Sequence, residues 1–206
     1  SVFSLSNVII QAQINTHGTS VMNGNTTSGN IESFLYTTMF QFSVAALTFT
    51  AQSIGAKRYD RINKVNRTCV GLVLTVSIVG GLIFLFFGKF LCGIYLPNDP
   101  EGVACGYFRI QIIAITYYLL GIGDTYVGTL RGMGASMSSM LISVVGICAT
   151  RVIWVYTAYM TFDRSIVILW LAYPLSWLIT LVAQMILYKH VHKKILAKAS
   201  PVPMKA

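Results

Sequence analysis

One carboxylate, Asp124, sits inside an otherwise apolar stretch, and on a helix it shares a face with Tyr117, Gly121, Gly128 and Arg131. If that stretch crosses a membrane, an ionised Asp near its middle costs about 2.5–3.5 kcal/mol on insertion scales. Such a group calls for a proton, a metal ion or a basic partner. Two chemistries follow: reversible binding of a coupling cation or proton, or a structural ion pair with Arg131 or Arg151. Gly121 and Gly128, about one turn to either side, would leave space for an ion beside the carboxylate. A second polar set opens the chain, where Ser4, Asn7, Gln11, Asn15 and Gly18 fall on one side of a helix. Amides in a row cannot face hydrocarbon, so they either line a water-filled cavity or hydrogen-bond between helices. Arg151 lies deep in a later apolar stretch and is expected to face protein or the same cavity.

Other polar residues read as structural. Glu32 follows Ser28-Gly29-Asn30, which looks like a helix N-cap, so its charge suits the positive end of a helix dipole. Arg109 lies near a span end and can snorkel to the interface. His17 falls off the amide stripe and reads as packing. Ser136, Ser139, Ser143, Gly146 and Thr150 repeat at helical spacing, a seam along which two helices approach closely. Cys69, Cys92, Cys105 and Cys148 show no C-x-x-C spacing and read as packing residues, with no structural metal or cofactor implied. The sequence lacks a phosphate-binding Gly-rich Lys motif, an H-E-x-x-H and a G-x-S-x-G, so an enzyme is not expected.

The elements that must position these residues follow from composition. The chain has 206 residues, 55% hydrophobic and 10% charged, with a mean hydropathy of +0.67. Soluble domains average about 25% charged residues. A net charge of +9 invites a nucleic-acid reading, but too little polar sequence remains to build a solvated basic surface. An aromatic content of 12% excludes disorder, and four cysteines exclude a disulfide scaffold. A span needs about 20 predominantly apolar residues. Six windows qualify or nearly so: 2–23, 31–53, 68–92, 104–130, 137–160 and 165–188. The expected fold is an all-α polytopic membrane protein, one bundle with a basic tail at 189–206. Breakers separate the windows at Asn23-Gly24-Asn25, Pro97-Asn98-Asp99-Pro100, Gly132-Met133-Gly134 and Thr161-Phe162-Asp163. Pro174 should kink or break the last span. Ser1 opens directly into apolar sequence with no basic stretch ahead of it, so the opening reads as part of a span, not a leader, and the chain as a piece of something longer.

Basic residues set the orientation. Lys57, Arg58, Arg61, Lys64, Arg67 and Arg131, with five lysines of the tail, place 11 of the 15 Lys and Arg on one face. Lys89 and Arg164 are the counterparts on the other. The positive-inside rule makes the crowded face cytoplasmic, with both ends of the chain on that side of the cell membrane.

Two junctions carry a resemblance. Gln52-Ser53-Ile54-Gly55-Ala56-Lys57-Arg58-Tyr59-Asp60-Arg61 resembles the Q-N-x-G-A-x-x-x-x-R signature of the multidrug and toxic compound extrusion (MATE) transporters, and Leu130-Arg131-Gly132-Met133-Gly134 resembles their L-R-G-x-G. The Gln11, Asn15 and Gly18 pattern and Pro174-Leu175-Ser176-Trp177 look similar too, so the likeness covers nearly the whole chain. Ser53 stands where the usual residue is Asn, and Ala135 where many members have Asp. The resemblance implies twelve helices in two six-helix lobes, of which this chain looks like the second, with the N-terminal half missing. It implies export of cationic or aromatic drugs in exchange for Na⁺ or H⁺, with rocking of the lobes about a midplane site. Asp124 would then carry the coupling ion, and Asn7, Gln11, Asn15, Tyr117 and Arg151 would face the substrate. Gln52, Gly55, Ala56, Arg61, Arg131, Gly132 and Gly134 would form the cytoplasmic motifs. A lipid-linked oligosaccharide flippase of the same superfamily would want more cationic cavity residues than Arg151 and Arg109. A non-transporting scaffold subunit would have little use for an amide stripe and a buried carboxylate.

Overall fold

The computed structural model describes residues 2–161 and 164–199, with the side chains of 7–161 and 164–197. Ser4 and Lys198 as side chains, and Phe162, Asp163 and the end of the tail including Lys205, lie outside the described set. Six helices follow one another: α1 (Val2–Ile14), α2 (Thr19–Gly55), α3 (Asp60–Tyr95), α4 (Pro100–Gly132), α5 (Ser136–Tyr159) and α6 (Ile166–Ala199). The last five are long and apolar enough to cross a membrane. α1 has 13 residues, about 20 Å at 1.5 Å each, short of a hydrocarbon core about 30 Å thick.

The first two expected windows are corrected. The 2–23 window is cut by a 3-10 turn at Asn15–His17 and by Gly18, whose φ of 103° lies where L side chains are strained. Residues 23–30 then form no connection at all, because α2 runs unbroken for 37 residues from Thr19. Gly24, Asn25, Gly29 and Asn30 are weak helix formers locally, but tertiary contacts outweigh propensity. Gly24 lets α2 pass against the α4 backbone, where an added Cβ would stand 2.9 Å from the Gly106 amide nitrogen. The Asn25 side chain is held by Gln11 at 3.0 Å and by Trp170 at 3.3 Å. α6 likewise continues through Pro174 without a break.

α4 is the central helix, lying against α2, α3 and α6. Ile31, Leu35, Met39, Val73, Ile113 and Tyr117 are buried where α2, α3 and α4 meet. Ile10, Ile14, Val155, Tyr159 and Leu169 join α1, α5 and α6 at one end, and Ile62, Leu130, Met133 and Tyr188 close the other. The outer face of α3 leaves Leu72, Ile78, Val79, Phe86, Phe87 and Phe90 exposed, as suits contact with lipid. The Ser139 hydroxyl donates to Oε1 of the fully buried Gln184 of α6 at 3.2 Å, Gln184 Nε2 donates to the Ser139 carbonyl at 2.9 Å and to Ser143 Oγ at 3.0 Å, and Gly146 faces Thr180. That is the expected α5 packing seam, completed by an amide the sequence did not flag.

Both family-like junctions are helix stops. After α2, Lys57 takes a φ of 56° while the Arg58 amide bonds the Ser53 carbonyl at 2.8 Å. After α4, Gly134 at φ 84° lets the Ala135 amide reach the Leu130 carbonyl at 2.9 Å. Each is a left-handed cap that satisfies carbonyls a helix end would orphan. Lys57, Arg58, Arg61 and Arg131 therefore gather at the same end of the bundle as Lys189 and Lys193, beside the Ile62–Leu130–Tyr188 cluster.

Candidate functional site

Four helices each present one stripe to a cavity of about 420 Å³. From α2 come Glu32, Tyr36, Phe40 and Ser43, and from α4 come Tyr117, Leu120, Asp124, Val127 and Arg131. From α5 come Ser143, Ile147 and Arg151, from α6 come Tyr173, Trp177, Thr180 and Leu181, and α1 adds Asn7. The steps of three and four residues within each set are those of one helix face.

Asp124 lies half-buried on this wall. Its carboxylate faces the Tyr36 hydroxyl and feels the charge of Arg131, while its backbone carbonyl accepts from Ser43 Oγ at 2.6 Å. Neither Arg131 nor Arg151 closes an ion pair with it; among the described residues the ion pairs are Arg58–Asp60 and Arg109–Glu32. The space beside Asp124 is not made by the expected glycines. Gly121 is buried against α2 and α3, where an added Cβ would stand 2.5 Å from Met39 Cε, and Gly128 is buried against the Ser43 carbonyl. Close helix packing uses both. Gly123, next to Asp124, has open space around it and lines the cavity.

Asp124 is also not the single carboxylate inside a span. Glu32 lies well within α2, not at its start, so the cap reading is corrected: the helix begins 13 residues earlier, at Thr19. Glu32 Oε2 stands 3.2 Å from Arg109 Nη2, and both residues are buried. Arg109 also donates to the Asn25 carbonyl at 2.9 Å and to Ser28 Oγ at 2.6 Å. It does not snorkel, because a buried carboxylate and two further acceptors hold its guanidinium inside. Tyr117 donates to the Glu32 carbonyl at 3.2 Å, and Glu32 Oε1 and Arg109 Nε remain without hydrogen-bond partners.

The opening amide stripe divides. Asn7 reaches the cavity and accepts from Arg151 Nη1 at 2.7 Å. Gln11 and Asn15 do not line it. Gln11 donates to Asn15 at 2.9 Å and accepts from Asn25 at 3.0 Å, an amide chain that joins α1 to α2. His17 pairs with the Tyr159 hydroxyl at 3.0 Å, a packing role as expected.

Arg151 is 6% exposed and cross-links three helices. Besides Asn7 it donates to Ser176 Oγ at 3.3 Å, and its guanidinium carbon sits 4.4 Å from the Tyr173 ring centre. It occupies the short α-helical piece Thr150–Trp154 between two π-helical stretches, Val145–Ala149 and Val155–Tyr159. π-bulges of this kind re-aim side chains and recur at functional sites. Tyr173, Trp177 and Tyr117 continue the aromatic wall, with ring centres 6.1 and 5.7 Å apart in sequence. Sequence reasoning missed Glu32, Tyr36 and Phe40 as a set, although their spacing of four was visible once α2 is known to be continuous there. The motif residues Gln52, Gly55, Ala56 and Arg61 lie exposed at the far end and do not meet this cavity. Arg131 alone among the motif residues does; Gly132 packs on Leu47 and Thr50, and Gly134 caps α4.

Comparison with known proteins now bears on this arrangement. Residues 1–157 match the MatE family. The chain is 25% identical over 193 residues to the probable multidrug resistance protein YoeA of Bacillus subtilis (strain 168), which covers 93% of this chain and 41% of that protein. It is 28% identical over 122 residues to the probable multidrug resistance protein NorM of Thermotoga maritima, covering 59% of this chain and 26% of that one. The chain thus spans well under half the length of these curated relatives.

Proposed function

The chain belongs to the MatE family, and from that premise we propose that it works as one lobe, the C-terminal half, of a multidrug efflux transporter driven by Na⁺ or H⁺ antiport. The names of YoeA and NorM support the efflux reading, and five long apolar helices make it a multi-pass membrane protein. The observation that carries the coupling role is Asp124: a carboxylate on the cavity wall, near the Tyr36 hydroxyl and in no ion pair. In a site of low dielectric, a bound cation or proton relieves the cost of that charge, and its release restores it. The two conformations of an exchanger then differ in ion affinity, which is what coupling requires. The aromatic wall of Tyr117, Trp177, Tyr173 and Phe40 offers flat rings to small cationic or aromatic substrates.

The test is Asp124→Asn in the full-length parent, read as ethidium efflux driven by an imposed Na⁺ or pH gradient. The reading expects gradient-dependent efflux to vanish at near-normal expression; retained efflux sinks it. Orientation has its own check. The basic end of the bundle is assigned to the cytoplasm of the cell, with Asn63 inside and Asn98 outside. Single cysteines at these positions should react with an impermeant maleimide in intact cells at 98 and not at 63.

A further inference from the structure

The charged groups of the cavity are not paired one with another. Glu32 is met by Arg109 at 3.2 Å, and Asp124 feels the charge of Arg131 but stands in no ion pair. Arg151 is left with neutral company: the Asn7 amide at 2.7 Å, the Ser176 hydroxyl at 3.3 Å and the face of Tyr173. Among the described residues no carboxylate lies within ion-pair distance of it. The second guanidinium near the same ring, that of Arg109 at 5.6 Å, is paired with Glu32 and supplies no countercharge to Arg151. An uncompensated cation buried in a membrane lobe is costly, and fixed neutral dipoles repay only part of that cost. A guanidinium that lines a cavity also presents a planar fork suited to a carboxylate.

We propose that Arg151, aimed into the cavity beside Tyr173 and Trp177, is an anion subsite that takes the carboxylate of a flat aromatic acid or zwitterion. This rests on the reading of the cavity as the substrate site, and narrows it: the lobe selects ligands carrying a negative group next to an aromatic ring, beyond the cations that its ring wall already suits. The ring of such a ligand lies against Tyr173 and Trp177, whose centres are 6.1 Å apart, and the cavity of about 420 Å³ admits a tricyclic molecule. Asn7 holds Arg151 from the side of α1 and leaves its charge unneutralised.

The test uses the 206-residue chain in detergent and two probes that differ in one charge, anthracene-9-carboxylate and anthracene-9-carboxamide. Binding is followed by quenching of tryptophan fluorescence, to which Trp177 in the cavity wall contributes. The wild-type chain should bind the carboxylate at least about tenfold more tightly than the carboxamide, the scale of one charge-assisted hydrogen-bonded contact. Asn7→Asp puts a carboxylate where the Arg151 donor already points, so the preference should collapse to within about twofold while carboxamide binding persists. Arg151→Gln should do the same if it folds; persistent carboxamide binding by Asn7→Asp reports an intact cavity in any case. Equal binding of the two probes by the wild-type chain overturns the subsite and leaves the cavity reading standing. Binding of neither probe overturns both. A preference that survives Asn7→Asp and Arg151→Gln alike places the anion elsewhere and overturns the assignment to Arg151.

Discussion

Two carboxylates line one cavity and are held in opposite ways. Glu32 is buried with Arg109 3.2 Å away, and Asn25 and Ser28 saturate two further donor positions of that guanidinium. Asp124, about four turns further along α4 from Arg109, is half-buried and faces a hydroxyl, with Gly123 leaving open space next to it. The first arrangement already supplies its carboxylate with a countercharge from the protein. The second keeps a charge that a mobile ion can still neutralise. Burial alone therefore does not mark a coupling site; what distinguishes the two is whether the countercharge is covalently part of the protein.

The comparison is broken most severely at Glu32. Arg109→Ala leaves that carboxylate buried and unpaired, and should cost about 3–5 kcal/mol of stability, measured by chemical denaturation in detergent. If it costs less than about 1 kcal/mol, the pair is as open as Asp124 and the contrast fails. Asp124→Asn is the next test. Its amide can still accept from Tyr36, so stability should stay within about 1 kcal/mol of the parent while gradient-driven efflux is lost. A large loss of stability there would make Asp124 structural. Tyr36→Phe sharpens the same point, because its hydroxyl competes with the coupling cation for the carboxylate. Removing one such hydrogen bond should lower the ion concentration for half-maximal efflux by a few-fold, about 0.5–1.5 kcal/mol in binding.

The smallest effect belongs to a third acid, Asp99, which caps α4 in water. Its carboxylate accepts from the Gly102 amide at 2.8 Å, with Pro100 at the first helical position. That hydrogen bond holds the Asp99 carboxyl below the usual range, with Ser20 and Asn23 assisting. Its folded pKa is depressed, so the contribution is full at neutral pH and lost as pH falls below about 4. Asp99→Ala should lower the melting temperature slightly at neutral pH and not at acid pH, whereas Asp99→Asn should change little at neutral pH. A pH-independent loss would assign the effect to packing.

Read residue by residue, the sequence exposes whatever depends on local chemistry and periodicity. Apolar runs of span length, the skew of basic residues to one face, the two helix-stop motifs, the α5 seam and the polar outliers Asp124 and Arg151 are all legible because each is a property of a single helix. Asp124 and Arg151 do meet at one cavity. What the tertiary structure decided is everything that one helix cannot specify alone. Residues 23–30 are helical because α4 packs on Gly24 and two other helices hold Asn25, against their local propensity. Glu32 changed from a cap to a buried ion pair for the same reason, since its partner Arg109 is 77 residues away. The glycines around Asp124 illustrate the limit most simply. Facing direction on a helix is fixed by numbering, but whether a face meets a neighbour or open space is set by which helix comes to lie against it, and only the assembled bundle fixes that.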